Sequence, residues 1–438
     1  MWKAFPQEEN YSETTMTGQS KTTPLHSRHT ANGAKMAPFG GYEMPLWYSS
    51  AKNEHQTVLT KAGLFDTSHM AVLTVEGEGA RPLLQHCFSR DLEACLGSQR
   101  RPLRNGRCLY GVFLDDRGHV IDDAVINQMA DDSFMIVVNA GMGPRIAGHL
   151  SDHGRHLKAD IQDRSDSLGK IDLQGPASAK ILQEVLKDPG AVFEDLPYFA
   201  FKGSLPKGGP PVPAVELRDG TPVLLSRSGY TGELGFEIFT AADKAETVWD
   251  LLVQSGEAAG LVLCGLAARD SLRTGAVLPL SHQDIGDWPF LNNPWTFALP
   301  YAAGGQSFTK DFVGSQALMA APSVRYTLPF VGRDPRKITV DASARVLWQD
   351  QEMGTVLTCV TDMGIAWHEG RILSLTSPDK PEGFAPRGLS CGFVHVDKPL
   401  PPGTEIQILD SRRSIPVNIT EDIRPHRTAR LALKRMLA

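Results

Sequence analysis

The stretch with the clearest capacity for chemistry is residues 119–127, which read HVIDDAVIN. Two adjacent carboxylates, Asp122 and Asp123, interrupt an apolar run of Val, Ile and Ala. Val and Ile at this density predict a strand. Neighbouring side chains of a strand point to opposite faces, so one Asp can meet solvent or a turn while the other points inward. An inward, ionised Asp needs a partner or a task, because burying a lone charge is costly. A solvated strand end and a carboxylate in a cavity are both open on this stretch alone. The second reading gains from other polar residues in apolar or glycine-rich surroundings: Tyr110, Asn139, Tyr230, Glu237, Arg269 and Asp284. With Asp123 they suggest a cavity carrying carboxylates and a guanidinium, suited to a flat heteroaromatic ligand. Taken alone, Glu237 and Arg269 also fit a buried structural ion pair, since charges in cores occur in pairs.

The elements that position these residues fall into two similar units. In the first, strands are expected at 70–75, 109–114, 120–127 and 134–139, with helices at 79–88 and 144–153. DDRG (115–118) and ADDS (130–133) supply turns. In the second, strands are expected at 170–173, 198–202, 222–228 and 235–240, with helices at 177–186 and 243–255. A short helix follows over 264–277, ending at Gly275. The shared order of elements predicts two related α+β layers side by side. Residues 23–50 and 279–310, rich in Gly, Pro and aromatics, read as ordered but irregular segments. From about 322, short alternating strands separated by Gly, Pro and Asp turns predict a small β-barrel. The basic tail from Arg424 reads as helical at its end.

Composition narrows the function classes. With 438 residues the chain exceeds one compact core. A formal charge of −6 gives no general attraction to nucleic acid or anionic lipid. No apolar run reaches the length of a membrane span. The six cysteines show no CxxC spacing and read as reduced thiols, with no support for a Cys-ligated metal. The polar first residues lack the features of a secretory or mitochondrial leader, so the expected compartment is the cytoplasm. There is no P-loop, no dinucleotide fingerprint and no HExxH. His149, His153 and His156 have near-helical spacing but read as surface residues rather than metal ligands. His69 and His282 sit in irregular segments, where each could orient a group in a cleft or serve the structure alone.

Several motifs, in order, carry a resemblance: TPLHSRHTANGAKMAPFGGYEMPLWY, LFDTSHM, CLYGVFLDDRGHVIDDAVIN, VVNAG, LQGP, SRSGYTGELGFEIF, CGLAARDSLR and DFVGSQAL. The chain resembles the aminomethyltransferase family, the T-protein of the glycine cleavage system, over most of residues 23 to about 320 and more weakly beyond. The resemblance implies an α+β fold of two ferredoxin-like layers plus a C-terminal β-barrel, three-lobed around a central folate cavity. It divides the chain into a flexible arm (1–22), a first folate-binding α+β domain (23–69 with 168–300), a second α+β domain (70–167), and a linker with the barrel (301–438). Asp123 matches the second Asp of the family's DD motif, beside the reactive folate nitrogens, and is the implied catalytic residue. Glu237 and Arg269 match the pterin-binding pair. Met70, Tyr110, Val138, Asn139 and Tyr230 match positions lining the tetrahydrofolate site.

The implied reaction takes an aminomethyl group from a lipoylated carrier protein, releasing ammonia and forming methylene-tetrahydrofolate. The chain departs from the family's pattern at residues 273–276 and 278–297, at Phe39-Gly40-Gly41-Tyr42, and in extra residues at 203–215 and around 362–387. These are expected where a donor or carrier protein approaches. They keep two other readings in view: a tetrahydrofolate-dependent demethylase acting on a small sulfonium, ammonium or methoxy compound, and a non-catalytic folate-binding protein. The last is disfavoured by retention of Asp123.

Overall fold

The computed structural model describes residues 20–206, 214–321 and 324–437. Most of the proposed arm, the middle of the 203–215 insertion and the last residue lie outside them. Two sheets and a closed barrel carry the fold, as expected from the sequence. The first sheet is an antiparallel five-stranded one. Its order is Arg107–Leu114, Val120–Ala130, Ser133–Val138, Ala71–Glu76, Asp160–Asp163. The Asp115 carboxylate accepts from the backbone of Arg117 and His119, both at 2.9 Å, and Gly118 takes φ +77°. That turn fixes the register in which Asp123 lies opposite Val112.

The second sheet has seven strands, with Leu168–Gln174 central between Gly235–Ala241 and Ala62–Asp66. Strands Ala62–Asp66 and Leu261–Cys264 run parallel at its edge and were not expected from the sequence. Both are short and largely apolar, and periodicity does not mark a short apolar run as strand. Each sheet covers its outer face with helices. Leu83, Leu84, Ile146 and Leu150 pack on the five-stranded sheet, and Ile181, Leu182, Trp249 and Leu252 on the other. The inner faces meet directly: Val72, Met135 and Val137 pack against Leu168, Leu224 and Phe239.

Residues 23–50 are more regular than expected. Helix His26–Ala31 leads into a hairpin, Lys35–Phe39 with Tyr42–Trp47. Its loop is Gly40-Gly41 at φ +57° and +82°, the two-residue turn in which both positions need positive φ. A Cβ on Gly40 would lie 2.5 Å from that of Ala140, so the hairpin tip also requires glycine for its close approach.

The barrel runs Tyr326–Gly332, Leu389–Val396, Gln351–Asp362, Arg345–Trp348, Glu405–Leu409, Ser414–Ile419 and closes on the first. A buried charge cluster joins it to the second sheet's side. Arg424 donates to Asp362 at 2.7 Å and pairs with Glu233, and His55 meets Asp362 at 2.8 Å. Burial works against the Asp362 carboxylate, but His55 and Arg424 hold it well below the ordinary range. The 362–387 insertion forms a hairpin, Ile365–His368 with Arg371–Ser374. It packs near helix Ala51–Thr60, where Gln56 donates to the Met363 carbonyl at 3.0 Å, and it does not line the cavity described next. The six cysteines are free thiols. Among the described residues no helix is long and apolar enough to cross a membrane.

Candidate functional site

A cavity of about 1130 Å³ opens between the two sheets, the 276–297 segment and the C-terminal tail. Its size suits a ligand larger than a typical drug-sized molecule. Met70, Tyr110, Asp123, Asn139, Tyr230, Glu237 and Arg269, separated by up to 199 residues in sequence, all line it. Val138 does not. Its side chain is buried in the helix-side core of the five-stranded sheet, and Val137 lines the cavity instead, as alternation along the strand requires. Asp284 also lies apart. It is fully buried and accepts from the Leu280 amide at 2.9 Å, from the Thr358 hydroxyl at 2.6 Å, and from Arg273.

The wall from the five-stranded sheet holds both aspartates. Asp123 accepts from the Tyr110 hydroxyl at 2.9 Å and from Asn139 Nδ2 at 2.7 Å. Burial raises its pKa against the pull of those two hydrogen bonds. Burial also lifts the Tyr110 phenol well above its ordinary value, with the Asp123 charge adding to it, so Tyr110 is a donor throughout the physiological range. Asp122 is not the solvated residue that alternation alone would allow. It is fully buried and accepts from the Asn139 amide at 2.9 Å and from Asn139 Nδ2 at 2.8 Å. One amide nitrogen thus serves both carboxylates. Burial and then the charge of Asp123 push Asp122 up to about 7.

The wall from the seven-stranded sheet is built differently. Asp172 and Glu237 sit directly opposite each other in register, and Lys170 lies two residues from Asp172 on the same face. Like charges across a ladder repel. Here Lys170 stands between them, donating to Asp172 at 2.7 Å and to Glu237 at 2.6 Å. Arg269 donates to the other Asp172 oxygen at 2.9 Å and lies 4.8 Å from the centre of the Tyr230 ring. Burial would raise the Asp172 carboxyl, but Lys170 and Arg269 overcome it and hold it below the ordinary value. Glu237 and Arg269 are therefore not an isolated pair. They are two ends of one network, each partly exposed to the cavity.

Lys170 and Asp172 escape the sequence reading as site residues, whereas Asp122 and His282 are named by it with a structural role left open for each. Lys170 and Asp172 have a usable signal, charges alternating with apolar residues in KIDLQ. His69 lines the cavity and is kept neutral, with burial pushing its pKa down to about 4. The rings of His149 and His153 meet edge-on, 4.8 Å apart, on helix Gly143–His153, away from the cavity.

The family model described as the GCVT N-terminal domain matches residues 25–289. The aminomethyltransferase of Deinococcus deserti is 35% identical over 338 residues, covering 77% of this chain and 84% of the relative. That of Symbiobacterium thermophilum is 35% identical over 316 residues, covering 71% and 78%. Among solved structures, the glycine cleavage system aminomethyltransferase T from Bartonella henselae superimposes with a TM-score of 0.70 at 26% identity. The match covers 92% of this chain and 97% of that one. Matching order of motifs, matching fold and identity over most of both lengths lead to one conclusion: the chain belongs to the aminomethyltransferase family.

Proposed function

We propose that the protein is a tetrahydrofolate-dependent aminomethyltransferase, with Asp123 as its catalytic carboxylate and a lipoylated carrier protein as donor. The observation that carries this reading is one cavity with a fixed carboxylate and guanidinium on one wall and a carboxylate held by neutral donors on the other. The residues fit a pterin. Lys170 and Ser228, at 2.6 and 2.5 Å, each engage one oxygen of Glu237. A carboxylate offers about four acceptor positions, so two remain for a pair of ring and amino donors. Arg269 commits one N–H to Asp172 and has a fork of five in total, enough to meet a carbonyl acceptor.

Bound tetrahydrofolate would supply the nitrogen nucleophiles that receive the one-carbon unit. Asp123 stabilises the positive charge that develops as that unit leaves the donor, and it accepts the proton released at the attacked nitrogen. Tyr110 and Asn139 hold its two oxygens in place. The partly exposed Phe297, whose ring lies 5.8 Å from that of Tyr110, gives the donor side of the cavity an apolar edge.

The assay supplies lipoylated carrier protein, ammonia and methylene-tetrahydrofolate. Formation of the aminomethylated carrier supports the reading. Methyl-tetrahydrofolate formed from a small methyl donor, without turnover of the carrier, replaces it with the demethylase. Failure to bind tetrahydrofolate at high micromolar concentration overturns both.

A further inference from the structure

The loop beside the paired aspartates holds a histidine in the left-handed region. His282 adopts φ +61°, a conformation that a residue with a Cβ rarely takes unless its surroundings impose it. The surroundings do impose it. Asp284 pins the loop through the Leu280 amide, Thr358 and Arg273. Gln283 donates to the Thr358 hydroxyl at 2.7 Å and to the Leu357 carbonyl at 3.1 Å. The barrel and the Leu266–Gly275 helix thus hold the loop from two sides. What the strained backbone presents is an imidazole at the cavity wall, with Nε2 3.9 Å from Asp122 Oδ1. The Ser281 side chain acts on the same carboxyl.

We infer that Asp122 and His282 form a proton-holding pair behind Asp123: Asp122 carries a proton so that Asp123 keeps the negative charge, and His282 takes up the Asp122 proton while Asp123 is protonated. The geometry requires some such arrangement. Two carboxylates tied to one Asn139 nitrogen, with no Lys or Arg among the described residues bonded to either, do not both ionise freely. Asp122 sits beneath the cavity wall, fully buried, whereas His282 lines the cavity and reaches back to it. The titratable and charged groups around the pair are Asp123 on the same strand, Tyr110 on the neighbouring strand, and Arg145 on helix Gly143–His153. Burial and then Arg145 push His282 below its ordinary value, so its imidazole is neutral near pH 7 and able to accept.

The step moves one proton only. When Asp123 takes a proton, the Asp122 O–H breaks and an imidazole N–H forms, leaving a carboxylate beside an imidazolium. The two aspartates together keep a single negative charge, and two transfers reset them: Asp123 gives its proton to water or an amine in the cavity, and the imidazolium returns its own to Asp122. No electrons move and no other co-reactant is needed. Asp122 and His282 are positioning residues, acting through Asp123. The kinetic part of this inference rests on the reading of the cavity as a tetrahydrofolate site, so the first test is made without folate.

Infrared difference titration of the ligand-free protein should show a protonated-carboxyl band at pH 6 that fades as pH rises through neutrality, and Asp122→Asn should lack it. No such band in the wild type, or an unchanged band in Asp122→Asn, overturns the assignment. The second test is His282→Gly. Glycine accepts this backbone without strain, so the variant should fold and melt no lower than wild type. Its kcat should fall about a hundredfold with tetrahydrofolate affinity within about twofold, and added imidazole should restore at least about tenfold. A variant as fast as wild type at every pH, or a slow one that imidazole does not rescue, removes His282 from the proton path. If the protein binds no tetrahydrofolate, the proposed function falls while the infrared result still decides on Asp122.

Discussion

Each of the two sheets carries a pair of carboxylates, one lining the cavity and one buried behind it, and the two pairs are treated in opposite ways. Asp122 and Asp123 are adjacent in sequence and have neutral hydrogen-bond donors, Tyr110 and Asn139 among them, on their oxygens. Burial raises both. Asp172 and Glu237 are adjacent only through strand register, and Lys170 is set between them with Arg269 beyond. There the cations overcome burial and hold Asp172 down. The same side-chain chemistry thus gives one wall that exchanges protons and one that presents fixed charge. A one-carbon transfer needs both: a wall that does not change while the ligand is held, and one that does while bonds change.

The comparison breaks most sharply at its two centres. Asp123→Asn keeps the shape of the proton-active wall and removes its charge. Turnover should fall about 10²–10⁴-fold, with tetrahydrofolate affinity changed only a few-fold, measured by steady-state kinetics and equilibrium titration. A rate within a few-fold of wild type would move catalysis away from Asp123. On the other wall, Lys170→Met leaves Asp172 and Glu237 facing each other without the cation between them. Removing one partner of a buried ion cluster costs about 3–5 kcal/mol, so chemical denaturation should show a loss of that order. An unchanged midpoint would mean that the wall does not depend on Lys170 for its charge balance.

How far the sequence exposed this contrast follows from how each wall is written in the chain. The proton-active wall is local. Asp122 and Asp123 stand side by side, and the DDRG turn sets their hairpin, so strand and turn rules put them on opposite faces, while the motif resemblance is what singles out Asp123. Those rules left Asp122 solvated. Its burial comes from Asn139, 17 residues on, and from Ser281 and His282 in a loop more than a hundred residues away that has no periodicity to read. The fixed wall is non-local. Glu237 and Arg269 stood out as charges among apolar residues, but their real partners depend on strand register, which one sequence does not reveal. Val138 shows the same limit at its smallest. A one-residue change of parity exchanges a core residue for a cavity residue. The two layers and the barrel were legible because each repeats a turn-and-strand pattern. The Gly40-Gly41 hairpin was equally legible by its turn and was passed over for lack of alternation in the flanking residues.

Milder substitutions sharpen the contrast rather than break it. Glu237→Ala removes a ligand-facing acceptor pair but leaves Lys170 on Asp172. Tetrahydrofolate binding should weaken by roughly tenfold to a hundredfold, the worth of about 1–3 kcal/mol of charged hydrogen bonding, while the protein stays folded. Calorimetric titration of wild type and variant decides it, and unchanged affinity would return Glu237 to a purely structural role.

The smallest effect is in the pH dependence of stability, where the two walls should have opposite signs. Asp122 is raised from 3.8 to about 7. Its contribution is therefore fully present below the unfolded value and is lost as pH rises through about 7, because the folded protein binds that proton more tightly than the unfolded chain does. Asp172 is lowered. Its contribution is present above the unfolded value and is lost as pH falls below it. Replacing Asp122 with Asn removes the first term, so the melting temperature of the variant relative to wild type should climb from about pH 4 to about pH 7 and level off above it. Asp172→Asn has no such trend in that window, since Asp172 stays ionised throughout it; its relative melting temperature should change only below about pH 4. Differential scanning calorimetry across both ranges tests the pair. A flat difference for Asp122→Asn from about pH 4 to about pH 7 would mean that Asp122 is already ionised there, and the division into a proton-active wall and a fixed wall would not hold.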